Sequence, residues 1–382
     1  MMPAPLEGLR VVELARILAG PWVGQTLADL GADVIKIESP EGDDTRRWGP
    51  PFIETEGEEA AAYFHGCNRG KRSVVADLKT EDGRELVRRL ARDADVLIEN
   101  FKVGGLAKYG LDYESLAAEN PSLVYCSITG FGQTGPYASR AGYDFLIQGM
   151  SGIMDLTGEP DGAPQKVGVA FADIFTGLYA VIAIQAALQD RLATGLGQHI
   201  DMALLDGMCG VLANQAMNYL ASGEAPRRLG NAHPNIAPYQ TFPTADGHLI
   251  LAVGNDGQFR RLCAVLGLDN LTDDARFATN PARVANRAAL TDALSAETRR
   301  WTRDDLLAAC EAAVTPAGPI NTVADMFADP QVRHRGLRIE PEGTPGVRTP
   351  IAFSRSPLTL DRRAPKLGEH TQEVRREAGL SG

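Results

Sequence analysis

The run Leu9 to Ala15 suits a strand buried on both faces, and Ala19-Gly20-Pro21 follows at once as a turn and helix start. Helical spacing over Trp22 to Leu30 stops at Gly31, and Val34 to Ile37 supplies a second strand about 20 residues after the first. This βαβ unit constrains the fold most, because parallel strands need a crossover between them. The alternation recurs. Ser73 to Leu78 reads as a strand, Glu81 to Ala94 as an amphipathic helix with Leu86, Val87, Leu90 and Ala91 inward, and Asp95 to Ile98 as a strand. A short helix over Tyr113 to Ala118 and a strand over Leu123 to Ile128 continue the series. The pattern predicts an α/β fold with a parallel sheet covered on both faces. Downstream, Asp173 to Ala193 reads as a long helix apolar enough to be buried on nearly all sides. His199 to Met202 is expected to be a strand and Leu204 to Ala221 one further helix.

The register then changes. Arg227 to Pro238 is loop-like, and Tyr239 to Phe242 and His248 to Val253 flank Asp246-Gly247, a strong hairpin signal. Helical stretches follow near Phe259 to Val265, Asn286 to Glu297 and Arg303 to Ala313, so residues 225–325 read as a smaller α+β domain. The tail from Ile339 holds Pro-rich turns and a last helix near Thr371 to Ala378. A chain of 382 residues is long enough for two domains and a sizeable core.

Composition narrows the classes. The five cysteines (Cys67, Cys126, Cys209, Cys263, Cys310) are far apart and show no CxxC pair or zinc spacing, which fits a reducing, cytoplasmic setting without a structural metal. With 38 basic against 49 acidic residues the net charge is -11, which argues against wrapping nucleic acid. Any anionic ligand must meet a local basic patch. Met1 to Gly8 lacks the basic and apolar regions of a signal peptide. The most apolar stretch, Leu178 to Leu188, is shorter than the ~20 residues a membrane span requires, so no membrane partner is expected.

Several residues could carry chemistry. Asp173 stands before the long apolar helix, either as an N-cap or as a nucleophile already ionised at neutral pH, and both readings can hold together. Gly254-Asn255-Asp256-Gly257-Gln258 lies between a strand and a helix, either as a turn or as a loop offering N–H groups to an oxyanion. The dinucleotide GxGxxG spacing is absent after the first strand, which disfavours NAD. Arg69, Lys71, Arg72 and Lys79, with Lys102 and Lys108, form basic patches at strand ends. They read as a solvated face or as a diphosphate site. Tyr143 and Asp144 could begin a helix. No Gly-x-Ser-x-Gly elbow, HExxH or P-loop occurs.

Taken in order, the segments resemble the class III CoA-transferases of the CaiB/BaiF family over nearly the whole chain. The carrying stretches are Leu9 to Leu14 with Ala19-Gly20-Pro21, Leu30 to Glu38, Asn68 to Leu78 and Glu99-Asn100-Phe101. Ser127 to Gly132, Gly142-Tyr143-Asp144, Ala172-Asp173, Gly254 to Gln258 and Leu367-Gly368-Glu369-His370-Thr371 complete the set. The resemblance implies a Rossmann-like large domain built from both ends of the chain, here 1–224 and 326–382, with the smaller domain 225–325 between. It also implies an interlocked homodimer.

The resemblance further implies a reaction in which CoA passes from an acyl-CoA to a carboxylic acid, with no permanently bound cofactor and CoA present only as substrate. Asp173 would be the nucleophile, 30 residues after Tyr143, the separation the family shows between its aspartate and pocket tyrosine. It would pass through a mixed anhydride and an aspartyl-CoA thioester. Tyr143, Asp144, Gly254, Gly257 and Gln258 would complete the catalytic site, with Gly254 to Gly257 N–H groups on the oxyanions. CoA contacts carry over to Leu18, Ala19, Ser39, Ala76, Asp77, Leu78, Lys79, Asn100, Phe101, Lys102 and Lys108. Formyl-CoA:oxalate transferases have glutamine where Leu18 stands and arginine where Ser39 stands, which argues against oxalate. Gly230 to Ile236 and Asn255 to Phe259 look more like members using succinyl-CoA. The donor, acceptor and pathway stay open. The alternatives are a 2-methylacyl-CoA racemase, whose second acid/base is a histidine where this chain has Tyr143, and a non-catalytic CoA-binding protein. A phenol near pKa 10 is poorly matched to proton abstraction at neutral pH.

Overall fold

In the computed structural model, which describes residues 2–380, a six-stranded sheet organises the larger of two units. Its strands are β1 (Arg10–Glu13), β2 (Asp33–Glu38), β3 (Arg72–Val75), β4 (Val96–Glu99), β5 (Val124–Thr129) and β6 (His199–Ala203). They run parallel in the order β3-β2-β1-β4-β5-β6, with Val11 of β1 between Val34 and Val96. Chain order reverses between β1 and β4, the place where open parallel sheets bind ligands beyond their carboxyl ends. The predicted α/β class and all six of these strands were legible within a few residues. The sixth, β6, was expected at His199 to Met202.

The crossover helices are α1 (Ala19–Asp29) and α2 (Glu81–Arg92). Helix α2 buries Leu86, Val87 and Ala91, and its Thr80 cap accepts from Gly83 N. A third helix, α3 (Asp144–Met150), precedes the long α4 (Phe171–Thr194). Helix α4 differs from its sequence expectation in two ways. At 24 residues it is long and apolar enough to cross a bilayer by length and composition, and it is buried on one stripe only. Ala172, Thr176, Ala180 and Ile184 form that stripe at four-residue spacing, whereas Ile182 is 62% and Leu192 79% exposed. Its last turn is tied to the sheet layer by Arg191, which pairs with Asp95 at 2.8 Å.

The tail closes the free edge of β3. His370 N donates to Ser73 O, Gly368 N to Ser73 Oγ and Val75 N to Thr371 Oγ1, so Leu367 to Thr371 occupies the edge an unpaired strand would expose. The larger unit therefore comprises the chain up to Ser151, Val167–Leu212 and the part from Pro330. The smaller comprises Gly152–Lys166 and Ala213–Asp329, so the units divide at Leu212 and Asp329 where the sequence reading put 224 and 325. The physical reason at the first boundary is a broken helix. Leu204 to Ala221 is two helices, Leu204–Gly210 and Ala213–Ser222, interrupted where Ala213 takes a φ of 47°.

The smaller unit has its own antiparallel sheet of β7 (Tyr239–Pro243), β8 (His248–Ala252) and β9 (Ala317–Pro319), with β8 central. The Asp246-Gly247 turn closes as predicted, Thr244 N donating to Gly247 O. Helix α5 (Asp256–Leu266) packs Phe259 and Leu262 into a core with Phe242, Leu251 and Phe277. Strand β9 was missed because three residues ending in proline carry no periodic signal. A hairpin of Phe52–Thr55 and Glu58–Ala61 in the larger unit was missed for want of a β-branched run.

Beneath the carboxyl end of β1, between β2 and the start of β3, lies a buried charge cluster. Lys36 Nζ donates to Glu13 Oε1 (3.1 Å) and Ala15 O (2.9 Å) and pairs with Asp43 (3.0 Å). Lys71 Nζ reaches Glu13, Pro21 O and Asn68 Oδ1. Burial would lower the Lys36 ammonium, but Glu13, Asp43 and Glu38 outweigh it and hold it above its ordinary value. Burial holds Lys71 below its own, the Glu13 carboxylate notwithstanding. Removing a shared partner leaves buried charge uncompensated, so Glu13→Ala is expected to cost about 3–5 kcal/mol in urea unfolding. An unchanged midpoint would show that the cluster contributes nothing.

Candidate active site

Asp173 is the third residue of α4, and its carboxylate is not the helix cap. The N-cap is Ala170, which has no side-chain bond to offer. The cap comes from Asp144 at the start of α3, whose Oδ1 accepts from Ala172 N at 2.8 Å and Asp173 N at 3.4 Å. Asp144 Oδ2 accepts from Gln148 Nε2 at 2.8 Å. Gln148, fully buried one turn along α3, also accepts from Val167 N and donates to Val169 O, pinning the approach to α4. The N-cap reading of Asp173 is thus corrected, and its carboxylate is left for chemistry. The reading of Tyr143-Asp144 as a helix start holds, with Tyr143 at the N-cap position and 67% exposed.

Burial first, and then the like charge of Asp144, push the Asp173 carboxyl up to about 7. Tyr63 joins them from a short helix (Ala62–His65). Burial and then the Asp173 charge push its hydroxyl up to about 12. No local pattern marked Tyr63. Gln148 carried one signal, its i+4 spacing from Asp144 on a helix.

One turn beyond Asp173, Gly177 lies against the start of α1, where a Cβ would come within 2.9 Å of Ala19 O. This close approach, open only to glycine, sets the helix of Asp173 beside Leu18 and Ala19. The same turn is stitched to β4. Asn100 Oδ1 accepts from Arg16 N (2.9 Å) and its Nδ2 donates to Arg16 O (2.7 Å), so the Asn100 amide is spent on backbone. Ile17 takes a φ of 74°, costly for a β-branched residue, and its N–H is held by Asp43. Phe101 N donates to Glu99 Oε2, and the Phe101 ring packs on the main core with Leu78. Ser39, exposed, follows β2. Ala76, buried, and Asp77, whose Oδ1 accepts from Lys79 N, follow β3.

The early basic patch splits in two. Arg69 is bound to Asp29, Lys71 to Glu13, and Arg72 to Asp33, Glu373 and Glu377, all as buried structural cations. Lys79, Lys102 and Lys108 are exposed and make no ion pair among the described residues, so they alone of the six lysines and arginines singled out offer charge to a ligand. Gly254 to Gln258 lies in the smaller unit. Asn255 Oδ1 caps α5 by accepting from Gln258 N, while Gln258 Oε1 accepts from Gly254 N at 2.7 Å. Gly254 is therefore not a free oxyanion donor here, whereas Gly257 N and Asp256 N have no partner among the described residues.

A parallel sheet with a half-buried carboxylate on the helix that packs against α1, and exposed lysines after its strands, suits acyl transfer on an anionic carrier. The chain belongs to CoA-transferase family III, whose model matches residues 6–371. It is similar to the succinate–glutarate CoA-transferase of Agrobacterium fabrum, at 66% identity over 97% of this chain and 94% of that protein. It is also similar to the succinyl-CoA:glutarate CoA-transferase of Mus musculus, at 43% identity over 98% and 86%. The crystal structure of a CaiB/BaiF family protein from Brucella suis superposes with a TM-score of 0.90, at 71% identity over 99% and 100%. The chain is an enzyme that transfers CoA from an acyl-CoA to a carboxylic acid.

The raised Asp173 carboxyl has a thermodynamic signature. Unfolded, the group titrates near 3.8; folded, near 7. Between those values the folded chain binds the extra proton, so the contribution favouring the fold is complete below 3.8 and is lost as pH rises to about 7. From pH 4 to pH 8, the stability of Asp173→Asn relative to the parent should grow by about 2–4 kcal/mol in favour of the variant. A difference independent of pH would rule out the raised carboxyl.

Proposed function

We propose that the enzyme moves CoA from succinyl-CoA to a second dicarboxylic acid such as glutarate, with Asp173 as covalent nucleophile and CoA entering only as a substrate. The observation that carries the reading is the Asp173 carboxylate itself, released from capping by Asp144 and set beside the turn that begins α1. The named substrates of the similar enzymes from Agrobacterium fabrum and mouse supply the acid class. Leu18 and Ser39 stand where formyl-CoA:oxalate transferases carry glutamine and arginine, which argues against oxalate as the preferred acceptor.

In the forward half-reaction an ionised Asp173 oxygen attacks the thioester carbon, the C–S bond breaks, and CoA leaves as thiolate with the electron pair. The thiolate attacks the aspartyl carbonyl of the resulting anhydride, the bridging C–O bond breaks, and the donor acid departs as carboxylate. An aspartyl-CoA thioester remains. The acceptor acid reverses both steps. A thiol pKa near 8.5 makes CoA competent both as leaving group and as nucleophile. Lys79, Lys102 and Lys108 would meet the phosphates as point charges. Half-buried in the first turn of α4, the carboxylate would be partly screened from water that would hydrolyse the anhydride.

Purified enzyme given succinyl-CoA and a panel of acids should form new thioesters detectable by mass spectrometry, with glutarate among the best acceptors. Asp173→Asn should lose at least about a thousandfold in turnover while still binding CoA, the scale on which covalent nucleophiles act. Full activity in that variant, or deuterium entering a 2-methylacyl-CoA without any new thioester, would overturn the reading.

The working form is proposed to be a cytoplasmic homodimer. In each unit, apolar side chains stand in solvent, Ile182 and Leu192 on α4 and Met217 and Leu220 on the helix Ala213–Ser222, and such surface asks for a partner. Sedimentation should give twice the chain mass, and a monomer at micromolar concentration would remove the proposal.

A further inference from the structure

The cluster around Asp173 has a property that the transfer reaction does not by itself require. The charge nearest the nucleophile is another carboxylate, Asp144, and no cation acts on Asp173 among the described residues. The two acids are held together deliberately. Asp144 Oδ1 accepts from the first free amides of α4, and Gln148, with no exposed surface, fixes the other oxygen and both sides of the approaching loop. A neutral acceptor could have capped the helix without repulsion, since asparagine and serine cap as well as aspartate.

We propose that Asp144 is a positioning residue whose charge drives Asp173 toward its uncharged covalent forms. This rests on the reading of Asp173 as nucleophile. Protonation, the mixed anhydride and the aspartyl-CoA thioester all discharge the same carboxylate. In forming the thioester, Asp173 and succinyl-CoA give aspartyl-CoA and succinate, so the negative charge leaves with the donor acid and no longer faces Asp144. The repulsion that raises the proton affinity of Asp173 therefore raises its affinity for an acyl-CoA by the same factor. The N–H bonds from Ala172 and Asp173 hold the geometry, and the charge sets the covalent equilibrium. Among the described residues the Tyr63 hydroxyl, from the helix Ala62–His65, also faces Asp173, and Asp144 comes from α3. Burial carries the larger share of the rise, so removing Asp144 should lower it without abolishing it.

The test is Asp144→Asn, which keeps an oxygen for both amides and loses the charge. The acid limb of kcat/KM should move to lower pH. The fraction of enzyme trapped as aspartyl-CoA thioester on incubation with succinyl-CoA, read by mass spectrometry above the limb, should fall in proportion. A limb shifted by one pH unit predicts a tenfold fall in the ratio of thioester to free enzyme. Asp144→Glu, which keeps the charge, should restore both toward the parent. A limb that stays in place, or one that moves while the trapped ratio does not, overturns the proposal. Loss of turnover with the limb and trapped ratio unmoved would assign Asp144 a purely structural role and overturn it likewise. Should the variant fail to fold, ¹³C titration of the parent decides. The Asp144 carboxyl signal should respond as Asp173 titrates, and independent curves refute the coupling. If Asp173→Asn retained turnover, the nucleophile assignment itself would fail, an outcome distinct from an unmoved limb in Asp144→Asn with Asp173→Asn inactive.

Discussion

Two lysines without solvent exposure, Lys36 and Lys71, share the carboxylate of Glu13 beneath the strand ends, and much of the larger unit is arranged around keeping them paired. An unpaired ammonium in such a place would be prohibitively costly, so each strand that enters the cluster must arrive in register. Glu13 ends β1, Lys36 lies in β2, and Lys71 precedes β3, so the pairs lock three parallel neighbours at one level. The same cations bind Ala15 O and Pro21 O, on either side of the turn that begins α1. Asp43, paired to Lys36, holds the Ile17 amide and with it a backbone conformation that a β-branched residue avoids. The charge cluster thus holds this turn through two backbone carbonyls and the Asp43 carboxylate.

The carboxylates of the site follow the opposite rule. In the structural cluster every buried acid faces a cation, whereas Asp173 faces another acid across the start of α4. A helix N-terminus tolerates this because its amides favour negative charge, and Asp144 is held by two of them. Stability and the proposed reactivity part company here: the group that costs the fold free energy at neutral pH is the one proposed as nucleophile. In the proposed mechanism no base is needed to activate it, since a carboxylate is the stronger nucleophile for being poorly solvated and remains ionised in part at neutral pH.

Much of the fold was legible because its signals are local. The βαβ pitch, the Gly31 stop, the amphipathic face of α2 and the Asp246-Gly247 turn are written within short windows, and the structure follows them closely. Failures came where a long-range partner decides. The helix expected over Leu204 to Ala221 breaks at a unit boundary that no local residue type marks. Helix α4 looked wholly buried because apolar content reports hydrophobicity but not which faces find a neighbour. At the site, Asp173 and Asp144 were found through a family pattern, while Tyr63 and Gln148 were not, for their roles depend on packing against segments distant in sequence.

By itself, the sequence determined the α/β class, the order of most strands and helices and the -11 charge, and it singled out Asp173 as the candidate nucleophile. Periodicity, turn chemistry and composition are properties of neighbouring residues. Only the tertiary structure decided which cations are free. Arg69, Lys71 and Arg72 read as a phosphate patch along the chain, yet each is consumed by an acid brought from elsewhere, and only Lys79 of that group stays in solvent. It also decided that Asp144 caps the helix of Asp173, freeing one carboxylate by spending another. Charge is written residue by residue, but whether it is paired, buried or available depends on distances that only folding sets.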